Sequence, residues 1–136
     1  MNNSILICGS GRWSKIHLNE IKTLNFNKIF IYSKRIRERK EKFASKNIIY
    51  LNKLSKIDFN KIKLVTLVSS NKNNYSYLRK FYKNMNYKIL IEKPILLNNK
   101  FLEKILEVKK ESNIYLSMPW LYDNNLKKVS RLINAK

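Results

Sequence analysis

The chain has 136 residues, 44% hydrophobic and 12% aromatic, with only two glycines and two prolines. This excludes a disordered, collagen-like or linker sequence and leaves about one domain able to bury a core. Lys and Arg total 29 against 9 acidic residues, a net charge of +20, and the single cysteine excludes a disulfide framework or a Cys-based zinc cluster.

Ile5-Leu6-Ile7-Cys8 is too short for a signal peptide or a membrane span, so a soluble, cytoplasmic protein with no membrane partner is expected. The run is continuous rather than alternating, as in a parallel strand covered on both faces. Residues 14–24 read as a helix with Ile16, Ile21 and Leu24 inward, and Lys28 to Tyr32 as a second strand. A very basic helix over 35–46 precedes a short strand, Ile48 to Tyr50, and Leu64 to Val68 makes the fourth strand. In 73–85, Leu78, Phe81, Tyr82 and Met85 recur at helical spacing, and Lys88 to Ile91 is the fifth strand. Asn98 or Asn99 can cap a helix to about Glu111, with Leu102, Ile105, Leu106 and the Lys109 stem facing inward. Ile114 to Met118 is the sixth strand, and 124–134 reads as helix. Strands separated by helices imply right-handed crossovers and a doubly wound, wholly parallel α/β sheet of the Rossmann type.

The first strand runs into Gly9-Ser10-Gly11-Arg12-Trp13-Ser14, a dinucleotide fingerprint with Ser in the third glycine position. Gly9 permits the tight turn, Gly11 lets backbone approach a pyrophosphate, and Ser14 is small enough for close helix–strand packing and can cap the helix. The helix start would offer free N–H groups and a positive dipole end to the phosphates. After the second strand, an NAD site wants a carboxylate for the ribose hydroxyls. Ser33, Lys34 and Arg35 stand there instead, with no acidic residue between Lys22 and Arg37. Such a set suits a phosphate, so NADP is the expected cofactor, with NAD the alternative.

The charge supports two explanations. Of the basic residues 23 are Lys, spread over the whole chain beside many Asn and Ile, all encoded by AT-rich codons. Genomic bias with solvated faces competes with selected polyanion binding. No segment joins aromatic and basic residues into one cluster, so nucleic acid is not the expected partner.

Glu92-Lys93-Pro94 follows the fifth strand. With the glycine turn and His17 beyond it, Ser69-Ser70-Asn71 with Asn74 three further on, and Ser117 to Asp123, it makes the chain resemble the nucleotide-binding domain of the Gfo/Idh/MocA oxidoreductases. The resemblance implies cofactor contacts at Gly9, Ser10, Gly11, Arg12, Trp13, Ser33, Lys34, Arg35, Ser69, Asn71, Glu92 and Pro94, and no metal. It further implies that Lys93 sits beside the nicotinamide and hydrogen-bonds the reacting substrate oxygen, with Pro94 cis. A lysine at the carboxyl end of a central strand lies where open α/β sheets bind ligands, and there it can stabilise an alkoxide or relay a proton. Glu92 orients Lys93 or meets the ribose, and His17 reads as a helix residue near the turn.

Asn74 stands where the family has His, and Ser70 where it has Pro. Family members also carry a second domain with an Asp/His pair, which a chain with one His cannot supply. The expectation is therefore a dinucleotide-binding domain over 1–120 and the start of an interdomain helix over 121–136, with the substrate domain missing. Its complete enzyme would oxidise or reduce a sugar or cyclitol, and this chain alone would be inactive. Leu126, Val129, Leu132 and Ile133 would favour self-association or a partner chain. The alternative is a non-catalytic basic module of the same fold, used for interaction or nucleic-acid binding.

Overall fold

The computed structural model describes residues 3–34, 46–83, 86–95, 99, 100, 103 and 113–118. Among them six strands form one parallel sheet: β1 (Ser4–Cys8), β2 (Lys28–Tyr32), β3 (Ile48–Leu51), β4 (Ile62–Leu67), β5 (Lys88–Glu92) and β6 (Ile114–Ser117). Their order is β3-β2-β1-β4-β5-β6, the doubly wound arrangement of a Rossmann sheet. Every expected strand is present, with Val68 and Met118 falling just past the ends of theirs.

The sheet is covered on both sides, which explains the unbroken apolar runs. Ile5, Leu6, Ile7 and Cys8 are all 0% exposed. Leu6 and Cys8 enter one core with Val65, Leu67, Leu78 and Phe81, while Ile5 and Ile7 enter the other with Leu18, Ile21 and Ile29. The helix α1 (Arg12–Lys22) supplies Leu18 and Ile21, and α2 (Asn71–Phe81) supplies Leu78 and Phe81, so the two helices close opposite faces. Each such side chain contributes roughly 1.5–3 kcal/mol by leaving water.

The buried stripe of α1 differs from the expected one. It consists of Ser14, Leu18 and Ile21, whereas Ile16 is 40% and Leu24 54% exposed. Positions i, i+4 and i+7 make one helical face, and a serine occupies the first of them. Leu24 lies beyond the helix end, which Thr23 closes by donating its N–H to the Glu20 carbonyl. The second helix begins two residues before the expected start and stops at Phe81, with Asn74, Leu78 and Phe81 inward and Tyr82 half-buried against the core. Lying outside the described residues are Arg35, residues 35–45 of the basic helix, Met85, Asn98, Leu102, Ile105, Leu106, Lys109 and the 124–134 helix.

No helix among the described residues is long and apolar enough to cross a membrane. Beneath the sheet, Tyr87 packs against Phe59 and Phe81 at ring-centroid distances of 6.1 and 6.2 Å. Burial pushes its phenol up to about 12, with Cys8 adding a smaller effect. Burial likewise pushes the Cys8 thiol far up.

An unfolded tyrosine ionises near 10, so between pH 10 and about 12 the unfolded chain binds fewer protons than the folded one. Stability is therefore expected to fall as pH rises through that window. Urea midpoints on either side of it measure the slope, and Tyr87→Phe is expected to make it shallower.

Candidate functional site

At the carboxyl edge of the sheet, β1 leads into α1 on one face and β4 into α2 on the other. Such a switch of direction leaves a crevice between the two strand ends. Gly9 sits at its base with φ of 142°, a conformation that L side chains rarely adopt. A Cβ on Gly9 would stand 2.7 Å from the Val68 carbonyl oxygen and 3.0 Å from Ser14 Oγ. The turn is also stitched to both neighbouring strands: Gly9 N–H donates to the Tyr32 carbonyl at 2.9 Å, and Val68 N–H to the Cys8 carbonyl at 3.1 Å.

Gly11 serves a different purpose. It is the N-cap of α1, and a Cβ there would meet nothing within 4 Å, because the position faces open space. That space is a cavity of about 620 Å³ lined by Gly9, Ser10 and Gly11, by Ser33 and Lys34 after β2, by Val68, Ser69 and Ser70 after β4, and by Asn73 and Tyr77 on α2. The N-caps of both helices, Gly11 and Ser70, thus border one cavity. Neither helix start has a side-chain capping bond or an acidic residue in its first turn. Uncapped N–H groups and two positive dipole ends favour an anion, and no carboxylate lines the cavity to oppose one. Ser14 Oγ, at the first turn of α1, is buried and has no hydrogen-bond partner. The open cradle above Gly11, the uncapped helix starts and this orphaned hydroxyl fit a phosphate-bearing ligand.

The loop after β4 is held from α2. Asn74, buried at 3%, accepts the Ser69 N–H on Oδ1 at 2.8 Å, and Asn73 Nδ2 donates to Ser69 Oγ at 3.2 Å. Asparagine, where the resemblance has histidine, therefore acts here as a loop fastener.

Of the residues singled out from the sequence, Gly9, Ser10, Gly11, Ser33, Lys34 and Ser69 line the cavity. Arg12 and Trp13 lie in the exposed first turn of α1 and Asn71 begins α2, all outside the lining. Ser14 packs as expected but caps nothing: α1 starts at Arg12, so Ser14 is inside the helix and Gly11 holds the capping position. Ser70, Asn73 and Tyr77 were not singled out as ligand contacts. Their signal was spacing, because Asn73 and Tyr77 stand one helical turn apart after the loop that bears Ser69.

Glu92, Lys93 and Pro94 end β5, away from the cavity lining. The Lys93–Pro94 peptide is cis, and Lys93 is exposed. Glu92 is 8% exposed, and its Oε1 accepts from Ser117 Oγ at 2.5 Å and pairs with His17 Nε2 at 2.9 Å. His17 is thus more than a helix residue: it joins α1 to β5, and Ser117 joins β5 to β6. No cluster of metal-ligating side chains occurs among the described residues.

The oxidoreductase family model GFO_IDH_MocA, described as an NAD-binding Rossmann fold, matches residues 3–118. No curated protein matches the chain. Among solved structures, an oxidoreductase from Bacillus cereus is 18% identical with a TM-score of 0.71, over 97% of this chain and 39% of that one. Aspartate dehydrogenase from Thermotoga maritima is 18% identical with a TM-score of 0.53, over 83% of this chain and 43% of its own. The chain thus spans about two fifths of the length of these structures. It belongs to the Gfo/Idh/MocA oxidoreductase family.

The two glycines are expected to respond oppositely to a methyl group. Gly9→Ala meets a backbone carbonyl in an unfavourable conformation and should lose about 1–3 kcal/mol or more. Gly11→Ala should unfold at nearly the wild-type urea concentration. Denaturant midpoints for the pair measure the contrast.

Proposed function

We propose that this family member binds NADP in the cavity at the β1–β4 switch point, as the cofactor half of an oxidoreductase acting on a sugar or cyclitol hydroxyl. The observation that carries the reading is the glycine turn itself, open above Gly11 and facing an uncapped helix start. The backbone of Gly9 to Gly11 would hold the pyrophosphate. Ser33 and Lys34 border the same cavity where a ribose-binding carboxylate would otherwise stand. A hydroxyl and an ammonium there suit a 2′-phosphate better than a diol, which supports NADP over NAD. Arg35 would add a second positive charge. Residues 1–120 would form this cofactor unit, a reading supported by the match over 3–118.

Bound nicotinamide supplies or accepts the hydride. Lys93 would hydrogen-bond the reacting oxygen and hold or release its proton at Nζ, a role supported by its place at the end of a central strand. Glu92, turned toward His17 and Ser117, would fix the strand end from which Lys93 emerges.

Titration with NADPH, read by nicotinamide fluorescence, tests the reading, and no binding at millimolar cofactor refutes it. Gly11→Val places a branched side chain in the cradle and should weaken NADPH at least about tenfold, or ~1.4 kcal/mol, with the circular dichroism unchanged. Lys34→Glu should weaken NADPH while leaving NADH nearly unaffected, and equal losses for both cofactors would refute the NADP preference.

The 136 residues by themselves are expected to bind cofactor without turning over sugars. Fixing a substrate carbon beside the nicotinamide accounts for about 7–11 kcal/mol of barrier lowering, and the described cavity is lined by none of Glu92, Lys93 and Pro94. A panel of sugars and cyclitols with NAD and NADP, followed at the reduced-nicotinamide absorbance, measures this. Turnover abolished by Lys93→Ala would overturn it.

A further inference from the structure

The cavity has one aromatic wall that the phosphate argument does not use. Tyr77 projects into it from α2, one turn beyond Asn73, opposite Ser33 and Lys34 at the end of β2. The ring is held in place: it meets Tyr32, the last residue of β2, edge-on at 5.6 Å and 72°. The two side chains also share a hydrogen bond, which with burial pushes the Tyr77 phenol far up and keeps it neutral. A neutral, immobilised ring beside a phosphate-binding turn offers a flat apolar surface at low entropic cost.

We propose that Tyr77 is a specificity-determining residue that holds the base of a purine nucleotide, so that the described cavity is by itself a site for adenosine phosphates. The proposal rests on the dinucleotide reading and narrows it. Phosphate sites at the two helix starts, Ser33 and Lys34 for the ribose substituent, and an aromatic wall for the base complete one mononucleotide. By contrast, none of Glu92, Lys93 and Ser117, on the neighbouring strands, lines this space. The adenosine half should therefore supply most of the affinity and the nicotinamide half little.

The test is calorimetric titration of the full chain with NADPH, adenosine 2′,5′-bisphosphate, AMP, ribose 5-phosphate and nicotinamide mononucleotide. The expected result is tight binding of the bisphosphate, weak binding of nicotinamide mononucleotide, and a loss of at least about fivefold from AMP to ribose 5-phosphate, the low end of base–aromatic stacking. Tyr77→Phe should keep the bisphosphate within about twofold, and Tyr77→Leu should weaken it at least about fivefold. Equal affinity of Tyr77→Leu and wild type, or no loss on stripping the base from AMP, overturns the proposal. If Tyr77→Leu does not fold, the ligand series on the wild type still decides. Failure of the wild type to bind NADPH at all would instead refute the dinucleotide reading.

Discussion

The site depends on a single close approach. The α-carbon of Gly9 lies so near the Val68 carbonyl that no side chain fits between them. That approach keeps the ends of β1 and β4 together while the chain leaves them in opposite directions, toward α1 and α2. A bulkier residue would force the two strand ends apart, and with them the helix starts that border the cavity. The constraint is local, but the geometry it imposes reaches all three loops around the cavity, because Gly9 is also bonded to Tyr32 and Val68 to Cys8.

Electrostatics at this cavity owes little to the large net charge. Most of the lysines lie elsewhere, and of the residues lining the cavity only Lys34 is charged. The attraction for an anion comes mainly from fixed backbone dipoles, which cost no side-chain entropy to aim. Such a site discriminates by shape and direction. A diffuse cationic surface attracts any polyanion and loses that attraction in salt.

Much of this was legible in the sequence because it is encoded locally. Strands buried on both faces, such as Ile5 to Cys8, show as unbroken apolar runs, and their alternation with helices fixes the topology. The glycine turn is legible because Gly9 and Gly11 each answer a backbone requirement that no other residue meets as well. The inward face of α1 was misjudged because one of its three buried positions is Ser14, which an apolar count passes over. His17, Glu92 and Ser117 could not be joined from the sequence, since 75 residues separate the first two and 25 the last two. Asn74 and Tyr77 escaped for the same reason, because each acts on a segment outside its own helix.

The carboxylate shared by His17 and Ser117 has a mechanical consequence. β6 is a four-residue edge strand with β5 as its only sheet neighbour, and such edges fray first. Ser117, at its last position, is latched to Glu92, and Glu92 to a helix that is itself anchored in the core by Leu18 and Ile21. Opening of the edge must therefore break a buried, doubly bonded carboxylate. Amide exchange at the end of β6 and rotation of the Glu92 side chain become one event, and the residue that follows Glu92 in the chain is Lys93. The outermost strand thereby sets how still the lysine at the end of β5 can be held.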